Sequence, residues 1–307
     1  MYEKDGKLKD SNDSPENCKE IRELREVYKN DRGYLTVGKI ISNPAERDKD
    51  NKDYCFKYMS LDSAYLCLKN RNLMFAEPTT WQDKSESELY KCDFRNVCNN
   101  NTDIPMFYAT CAALKGHNEA AWKVYTYGKV GLGAKCVEFK IDQNKFIEQI
   151  LKFIKRKKNC KLCVGKIAYV KDEYFFEIKE EISSYSKFRM SQLCKKYIPD
   201  GQPFNLRNYL NFMLLKRGTF EHEQELRFMI VDFKRKKGNK NFFVDIEWRD
   251  IIEAVYYSSD FTQVEKLILK DLLINAGVDL KGGNKIPVCQ VDPYKDSALQ
   301  SDPFFEG

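Results

Sequence analysis

The stretch Lys216-Arg-Gly-Thr-Phe-Glu-His-Glu-Gln-Glu-Leu-Arg-Phe-Met-Ile-Val231 joins the densest polar cluster of the chain to an apolar strand. Alternate residues of an extended backbone point to the same side. We therefore expect Glu223, Glu225 and Arg227 to project from one face. A carboxylate pair at a strand edge suits chemistry in which positive charge develops on a sugar. A solvated charge cluster at the start of a strand is the competing interpretation.

Strands and helices alternate irregularly along the rest of the chain. Period-2 and apolar runs predict strands over 54–59, 73–76, 106–113, 134–141, 166–170, 226–231, 241–246 and 251–257. Helical periodicity and caps predict helices over 60–70, 119–127, 144–157 and 262–276. The regular βαβ repeat of a doubly wound sheet is missing. The pattern therefore predicts an α+β fold with a mixed, mainly antiparallel central sheet and flanking helices.

The first fifty residues differ in composition from the remainder. Residues 1–50 are highly charged and poor in large apolar groups, with a short helix predicted over 21–28. We expect an N-terminal extension that packs loosely on the main body or is partly disordered. Residues 51–307 are expected to form a single α+β domain, with a mostly helical insertion around 174–215.

Composition excludes several classes of protein. The 307 residues carry 52 Lys+Arg and 46 Asp+Glu, a net charge of +6 that permits contact with phosphates but does not require it. No apolar run approaches the roughly 20 residues of a membrane helix, and the first ten residues lack the apolar stretch of a secretory signal. We expect a cytoplasmic protein without membrane contact. His117 and His222 are the only histidines, and neither stands in a nucleophile-elbow or papain-like context.

The cysteines predict free thiols. Their number is 11, an odd count scattered through ordinary sequence, which is typical of a reducing compartment. The one close pair, Cys160-Lys-Leu-Cys163, follows a basic run, and a zinc site would need two further ligands. Cys136 or Cys194 could supply them only through the fold. We expect half-buried thiols beside a charged loop, and no metal.

Two other groups of residues leave alternatives open. Asp83 with Glu138-Phe-Lys140 matches the acid and Glu-x-Lys pattern of restriction-type nucleases, although Glu-x-Lys also arises by chance in a Lys- and Glu-rich chain. Trp122 and Tyr125 lie one helical turn apart and are read either as core or as a stacking platform. Neither a Walker A sequence nor a G-x-G-x-x-G loop is present.

Five short segments, taken in order, resemble a known family. They are Phe56-Lys-Tyr58, then Asn72-Leu-Met-Phe-Ala-Glu-Pro78 with Trp81-Gln-Asp83 and Glu86, then Trp122-x-x-Tyr125, Cys136-Val-Glu-Phe139, and Lys216 with Phe220-x-x-Glu223-x-Glu225-x-Arg227. Over about residues 54–275 the chain resembles the bacterial "domain of unknown function 2971" family. It departs from the family pattern at Gln82, at Lys84-Ser85 and at Phe220.

That family's layout is similar to that of ADP-ribosyltransferases, especially the toxins that modify nucleic-acid bases. The resemblance implies NAD as a substrate, no metal, Glu225 as the catalytic residue and Glu223 as the residue that assists the acceptor. It implies an NAD-binding set comprising Lys57, Tyr58, Asp83, Trp122, Tyr125 and Arg227. In that set the two tyrosines line the nicotinamide site, and Lys57 or Arg227 lies near the phosphates.

The resemblance implies a bacterial toxin or anti-phage defence effector that modifies nucleic acid or protein and works with a defence-system partner protein. A non-catalytic ligand-sensing or interaction module is the alternative, and a metal-dependent nuclease is a further one. We also predict that one cleft is lined by residues far apart in sequence: Tyr58, Asp83, Trp122, Tyr125, Glu225 and Arg227.

Overall fold

The computed structural model describes residues 27–29, 35–37, 53–81, 83–84, 86–87, 106–126, 129–157, 159–173, 175–176, 213–233, 240–292 and 301–306. Its strands are β1 (Val27–Lys29), β2 (Leu35–Val37), β3 (Tyr54–Ser60), β4 (Asn72–Ala76), β5 (Met106–Ala113), β6 (Cys136–Asp142), β7 (Cys160–Lys166), β8 (Ala168–Val170), β9 (Leu215–Arg217), β10 (Glu225–Asp232), β11 (Asn241–Asp245), β12 (Ile252–Ser258) and β13 (Val288–Val291). Its α-helices are α1 (Leu61–Lys69), α2 (Glu119–Thr126), α3 (Gln143–Lys155), α4 (Trp248–Ile251) and α5 (Gln263–Asn275).

One large sheet organises these elements. It has eleven strands in the order β1-β2-β7-β10-β5-β3-β6-β12-β13, with β4 and β11 attached beside β5. Its neighbours are antiparallel except for β2 with β7 and β12 with β13. Strands β8 and β9 form a separate parallel pair. The predicted α+β class, with a mixed and mostly antiparallel sheet, is confirmed.

The sheet divides along one side of β5. Ala113, at the end of β5, pairs with Phe56 of β3, whereas Ala109 pairs with Ala76 of β4. Each contact is a single register pair, so β5 shares this side between two strands. Residues of β3, β4, β5 and β10 line a cavity here.

The main hydrophobic core lies between one face of the sheet and the helices α1, α3 and α5. In α3 the buried residues recur at helical spacing, and Asp142 caps the helix by accepting the N–H groups of Asn144 and Lys145 at 3.0 Å. Phe146 of α3 packs edge-on against Phe228 of β10, with 4.9 Å between the rings. Burying a side chain of this size contributes about 1.5–3 kcal/mol. This face gives the sheet its rigidity.

A smaller cluster covers the opposite face beneath α2. It contains Phe56 and Tyr58 of β3, Trp122 of α2 and Tyr256 of β12. Alternation along β3 explains the division, because residues 56 and 58 face this cluster while Cys55 and Met59 belong to the main core. The cavity opens on the α2 side of the sheet.

The predicted starts of two helices agree with the structure. Thr262 begins α5 with a capping box, in which its side chain and that of Glu265 bond each other's backbone N–H groups. Ser60 occupies the position before α1, but its side chain does not bond the helix backbone; its hydroxyl bonds the side chains of Asp62 and Ser63. Only the capping box of α5 is therefore a local hydrogen-bonded start signal among these two.

Three assignments differ from the sequence-based expectation. The helix predicted over 21–28 is wrong at its described end, because Val27–Lys29 is a strand that joins the sheet through β2. Cys160–Lys166, for which no strand is predicted before position 166, is a strand between β2 and β10, whose burial on both faces removes the alternation that signals a strand. Leu215 begins β9, whereas most of the helical insertion predicted around 174–215 lies outside the described residues. Within the described part of the chain, no helix is long and apolar enough to cross a membrane.

Candidate functional site: a buried ionic floor beneath an aromatic wall

The candidate site is a cavity of about 820 Å³ on the α2 side of the sheet. Its floor comes from β9, β10 and β5, one wall from β3 and α2, and the other wall from β4 and the segment after it. The residues with charged or aromatic side chains that line it are Phe56, Tyr58, Trp81, Asp83, Lys84, Glu86, Tyr125, Lys129, Lys216, Arg217, Phe220, Glu223, Glu225 and Arg227.

Arg227 is the centre of the floor. Its side chain is 0% exposed and lies two residues after Glu225 on the same face of β10, where Nε donates to Glu225 Oε1 at 2.8 Å. Nη1 donates to the carbonyl of Met213 at 2.6 Å, and Nη2 donates to Glu86. The guanidinium also lies under the ring of Trp81, 4.3 Å from its centroid. These contacts hold the arginine in one orientation.

Lys216 gathers three carboxylates around one ammonium. Its Nζ lies 2.6 Å from Glu223 Oε2, 3.1 Å from Glu225 Oε2 and 3.8 Å from Glu86 Oε2. Glu225 is therefore bonded to a cation through each of its oxygens, and Glu223 and Glu225 converge on one point. Hydrogen bonds between ionised groups are shorter and stronger than neutral ones.

The route by which the two glutamates converge differs from the expected one. Glu223 ends a 3₁₀ helix (Gly218–Glu223), and Gln224 then adopts a left-handed conformation with φ of 42° before β10 begins. The prediction of one continuous extended backbone from Glu223 is wrong, because this left-handed residue turns the chain. The expectation that Glu225 and Arg227 share a face is confirmed.

The charged groups of the floor shift one another's pKa values. Burial by itself would raise the pKa of Glu225, but the charges of Arg227 and Lys216 hold it well below its usual range. Burial raises the pKa of Glu86, although the same two cations oppose the rise. Burial would lower the pKa of Lys216, yet the surrounding carboxylates raise it. Glu225 is thus a fixed negative charge, and Glu86 is the first of the two to accept a proton.

An aromatic wall stands beside this floor. Tyr58 and Tyr125 are stacked with ring centroids 6.2 Å apart and an angle of 17°. Trp122 supports Tyr58 edge-on at 5.9 Å and is buried behind it. The wall offers an apolar surface to a planar ligand, whereas the floor offers charge.

A charged rim separates the cavity from solvent. Asp83 and Arg217 are paired at 3.4 Å, and the Arg217 guanidinium lies 4.8 Å from the ring centroid of Phe220. On the opposite side, exposed Lys129 reaches the Ser60 hydroxyl at 3.3 Å. The rim therefore offers cations for an anionic group on the ligand.

The structure brings together most of the residues singled out from sequence. Five of the six residues expected in one cleft line the cavity, namely Tyr58, Asp83, Tyr125, Glu225 and Arg227. Glu223 also lines it. Trp122 lies behind the wall and supports it. Lys57 lies on the other face of β3 from Tyr58 and donates to the carbonyl of Cys111 at 2.6 Å. Burial lowers the pKa of this lysine.

Sequence reasoning missed several lining residues. Glu86 and Lys216 lie in the motif segments, but the resemblance assigns them no role. The presence of Lys216 seven residues before Glu223 and nine before Glu225 is a signal from which an ion-paired cluster could be predicted. Cys111 and Lys129 had no signal, because each reaches the cavity only through strand order or loop position. Trp81 was visible as a large aromatic in a polar loop, and its place over Arg227 is a tertiary fact.

Residues considered for metal binding are apart in the structure. Cys160 and Cys163 are three positions apart on one strand and so face opposite sides of it. Glu138 accepts hydrogen bonds from the backbone of His117, and Lys140 lies over the ring of Tyr54, so neither joins Asp83 at the cavity rim. Among the described residues, no group of three or more His, Cys, Asp or Glu side chains is placed to hold a metal ion.

Comparison with protein-family models, with curated proteins and with solved structures finds no match to the chain. The resemblance to the "domain of unknown function 2971" family therefore stays a prediction carried by the motifs. Inferences about function rest on the geometry of the cavity.

Proposed function

We propose that the cavity binds NAD and that its two glutamates promote cleavage of the nicotinamide–ribose bond, in an ADP-ribosyltransferase-like arrangement. The observation that carries this proposal is the convergence of Glu223 and Glu225 on Lys216 at the floor of an aromatic-walled cavity. The ADP-ribosyl group would pass to a nucleic acid or protein acceptor, or to water.

The size and lining of the cavity support a dinucleotide ligand. Its volume of about 820 Å³ lies in the range of about 300–1,000 Å³ typical of ligand pockets. The stacked rings of Tyr58 and Tyr125 suit a planar ring such as nicotinamide. Lys129 and Arg217 at the rim are better placed to bind the phosphates of NAD. Lys57 and Arg227 already donate to the backbone carbonyls of Cys111 and Met213.

The floor suits the charge that this reaction develops. When the bond between ribose C1′ and the nicotinamide nitrogen breaks, nicotinamide leaves with the electron pair and positive charge grows on the ribose. A fixed carboxylate stabilises that charge most in the transition state. Glu225 meets this need because Arg227 and Lys216 keep it ionised and oriented. The acceptor then bonds to C1′, and its proton passes to Glu223 or to water.

A second candidate, a non-catalytic ligand-sensing module, is favoured by one specific observation. Both oxygens of Glu225 are already bonded to cations, so the negative charge that faces a ligand is partly neutralised. In such a module the same cavity would bind a nucleotide without chemistry. Ligand binding without nicotinamide release would distinguish it from a transferase.

The test measures nicotinamide release by the wild type and by Glu223→Gln, Glu225→Gln and Glu221→Gln. Glu221 is the matched control because it lies in the same 3₁₀ helix with an exposed side chain. We expect Glu225→Gln to lose about 100-fold in rate, by analogy with removal of one electrostatic stabiliser. Glu223→Gln should impair transfer to the acceptor more than it impairs nicotinamide release, which hydrolysis also produces, so transfer of labelled ADP-ribose is measured in parallel. Glu221→Gln should match the wild type in both measurements.

Folding must be monitored together with activity, because Glu225 is part of a buried ionic network. The substitution leaves Arg227 and Lys216 with fewer partners, so a thermal melt of each variant accompanies its rate. NAD at 100 times its dissociation constant should stabilise the folded protein by roughly 3 kcal/mol. An unchanged rate in folded Glu225→Gln ends the transferase proposal. Stabilisation by NAD without any release favours the sensing module, and stabilisation by magnesium alone favours a nuclease.

A further inference from the structure

A second cavity, of about 510 Å³, lies at the end of the sheet where β10 finishes and β7 begins. It is lined by Phe153, Lys157, Asn159, Cys160, Asp232, Phe242 and Phe243. The proposed NAD chemistry does not use it. The ends of α3 and β10 and the starts of β7 and β11 meet here.

Cations are concentrated around this cavity. The exposed cations contributed by the end of α3 and by the residue before β11 are Lys152, Lys155, Arg156, Lys157 and Lys240. The acid that lines the cavity, Asp232, is buried. The chain as a whole carries only +6, so this end of the sheet is a local concentration of positive charge. We call these five cations, with Phe153 and Phe243, the basic surface.

The aromatic rings of the basic surface lie among its cations. Phe243 is 51% exposed, and Phe153 is half-buried with Lys157 Nζ 5.8 Å from its ring centroid. Phe153 packs on the main core and lies edge-on to Phe242, with ring centroids 6.1 Å apart, whereas the ring of Phe243 is open to solvent. These rings do not form the continuous apolar band that a membrane-surface helix needs.

We propose that the basic surface binds single-stranded nucleic acid. Proteins that hold single strands combine cations along the phosphates with aromatic rings on which unpaired bases stack. A duplex keeps its bases stacked inside and can use only the cations. Four further cations, Lys234-Arg-Lys-Lys237, occur in the sequence between Phe233 and Lys240. The surface as defined does not depend on them.

The basic surface is continuous with the larger cavity through β11. Asn241 lines the larger cavity, and Phe243 lines the smaller one on the same face of the strand. Two residues of a strand span about 7 Å. A strand of nucleic acid held at Phe243 therefore passes the mouth of the larger cavity. Its role as the acceptor of ADP-ribose rests on the proposed function, whereas the binding itself does not.

Fluorescence anisotropy with a labelled oligothymidylate of about 16 nucleotides tests the binding. Between about 50 and 200 mM salt, neutralisation of five phosphates predicts a slope of log K against log salt of about −3.5. Replacing Lys155, Arg156 and Lys157 by Ala should make the slope shallower by about 2. The control replaces Lys69, Lys123 and Lys281, which are exposed elsewhere, and should leave the slope unchanged. Phe243→Ala should weaken binding about tenfold at an unchanged slope.

Four outcomes would overturn the proposal once melts show the variants to be folded. They are no binding at low salt, equal losses in the two triple variants, equal affinity for a duplex of the same length, and binding only to vesicles of phosphatidylcholine with phosphatidylserine. The last result would assign the surface to membranes.

Transfer of label from NAD to the bound oligonucleotide tests the acceptor role separately. Transfer that is lost in the surface triple variant supports it. Oligonucleotide binding without NAD turnover overturns the proposed function and leaves the surface intact. Nicotinamide release without oligonucleotide binding overturns the surface and leaves the proposed function intact.

Discussion

Two buried carboxylates on the cavity side of the sheet, Glu225 and Glu138, are stabilised by different kinds of partner. Glu225 on β10 is 4% exposed and is bonded to Arg227 and Lys216, both cations. Glu138 on β6 is 0% exposed and accepts the backbone N–H of His117 at 3.2 and 3.3 Å, and the ring Nδ1 of that histidine lies 3.4 Å from Oε1. One carboxylate is held by opposite charge and the other mainly by hydrogen-bond donors of a loop.

The different partners of the two carboxylates indicate different roles, with Glu138 holding a loop in position and Glu225 facing the cavity. The loop that Glu138 holds continues into Asn118, whose backbone N–H donates to the Tyr58 hydroxyl at 3.0 Å and whose side chain caps α2 through Ala120 and Ala121. Glu138 thereby fixes the helix that carries Tyr125. Glu225 instead lines the cavity with a carboxyl group whose pKa is held low by Arg227 and Lys216. Substitutions at the two carboxylates and at their partners should separate these two roles.

Arg227→Met should produce the largest loss of stability. It removes the buried cation that bonds both Glu86 and Glu225 and leaves them Lys216, and breaking a buried ion pair in this way costs about 3–5 kcal/mol. Urea unfolding measures the change in the free energy of unfolding. Arg249→Met is the matched control, since that side chain is 59% exposed and should change stability little. A loss below about 1 kcal/mol for Arg227→Met would contradict the ionic account of the floor.

Glu225→Gln should lower stability at neutral pH by about 1.5–3 kcal/mol, the contribution of hydrogen bonds to charged groups. The pKa of Glu225 is lowered in the folded state, so its contribution is present above the unfolded value of about 4.3 and is lost as the pH falls below it. The difference between variant and wild type should therefore shrink in acid. Exposed Glu119→Gln is the control, and a difference independent of pH would refute this assignment.

Glu138→Gln should cost about 1–2 kcal/mol, because the amide keeps one acceptor oxygen but presents donors to the N–H of His117. Exposed Glu148→Gln provides the baseline in the same urea titration. If Glu138→Gln destabilised the protein as strongly as Arg227→Met, that result would contradict the distinction between a carboxylate held by cations and one held mainly by hydrogen bonds from a loop. A matching loss of affinity for NAD would show that the held loop positions the aromatic wall.

Tyr58→Phe should give the smallest effect, about 1 kcal/mol, because it removes one hydroxyl and keeps the stacked ring. The Asn118 N–H loses its acceptor, while the apolar wall remains. Tyr65→Phe, whose hydroxyl meets Lys69 at the surface, serves as the control and should be nearly silent. Loss of NAD binding in folded Tyr58→Phe would show that the hydroxyl, rather than the ring, contacts the ligand.

Much of the fold could be predicted from local patterns. The strand Met106–Ala113 has the predicted bounds, and α5 begins directly after Thr262, the first residue of the helix predicted over 262–276. These predictions succeed because alternation and caps act over a few residues. The strand Cys160–Lys166 was missed because a strand buried on both faces does not alternate, and an apolar run so short is ambiguous by pattern alone.

The candidate site was predictable as a set of residues but not as a geometry. Sequence motifs selected Tyr58, Asp83, Tyr125, Glu223 and Glu225, which meet in one cavity. Because Lys57 and Tyr58 are adjacent on one strand, alternation already predicts that their side chains point to opposite faces of the sheet. The resemblance nevertheless implies that both contact the ligand. Position in a motif does not specify which side of a strand a residue occupies.

Local sequence patterns are therefore enough to predict the α+β class, most elements and the residues that converge. Three features follow only from the three-dimensional fold: Lys216 stands among three carboxylates, Gln224 turns the chain between two of them, and Glu86 reaches Arg227 across 141 positions. The physical reason is the range of the forces involved. Caps and periodicity act within a few residues, whereas the charge around a buried carboxylate depends on strand order, which brings distant segments within hydrogen-bonding distance.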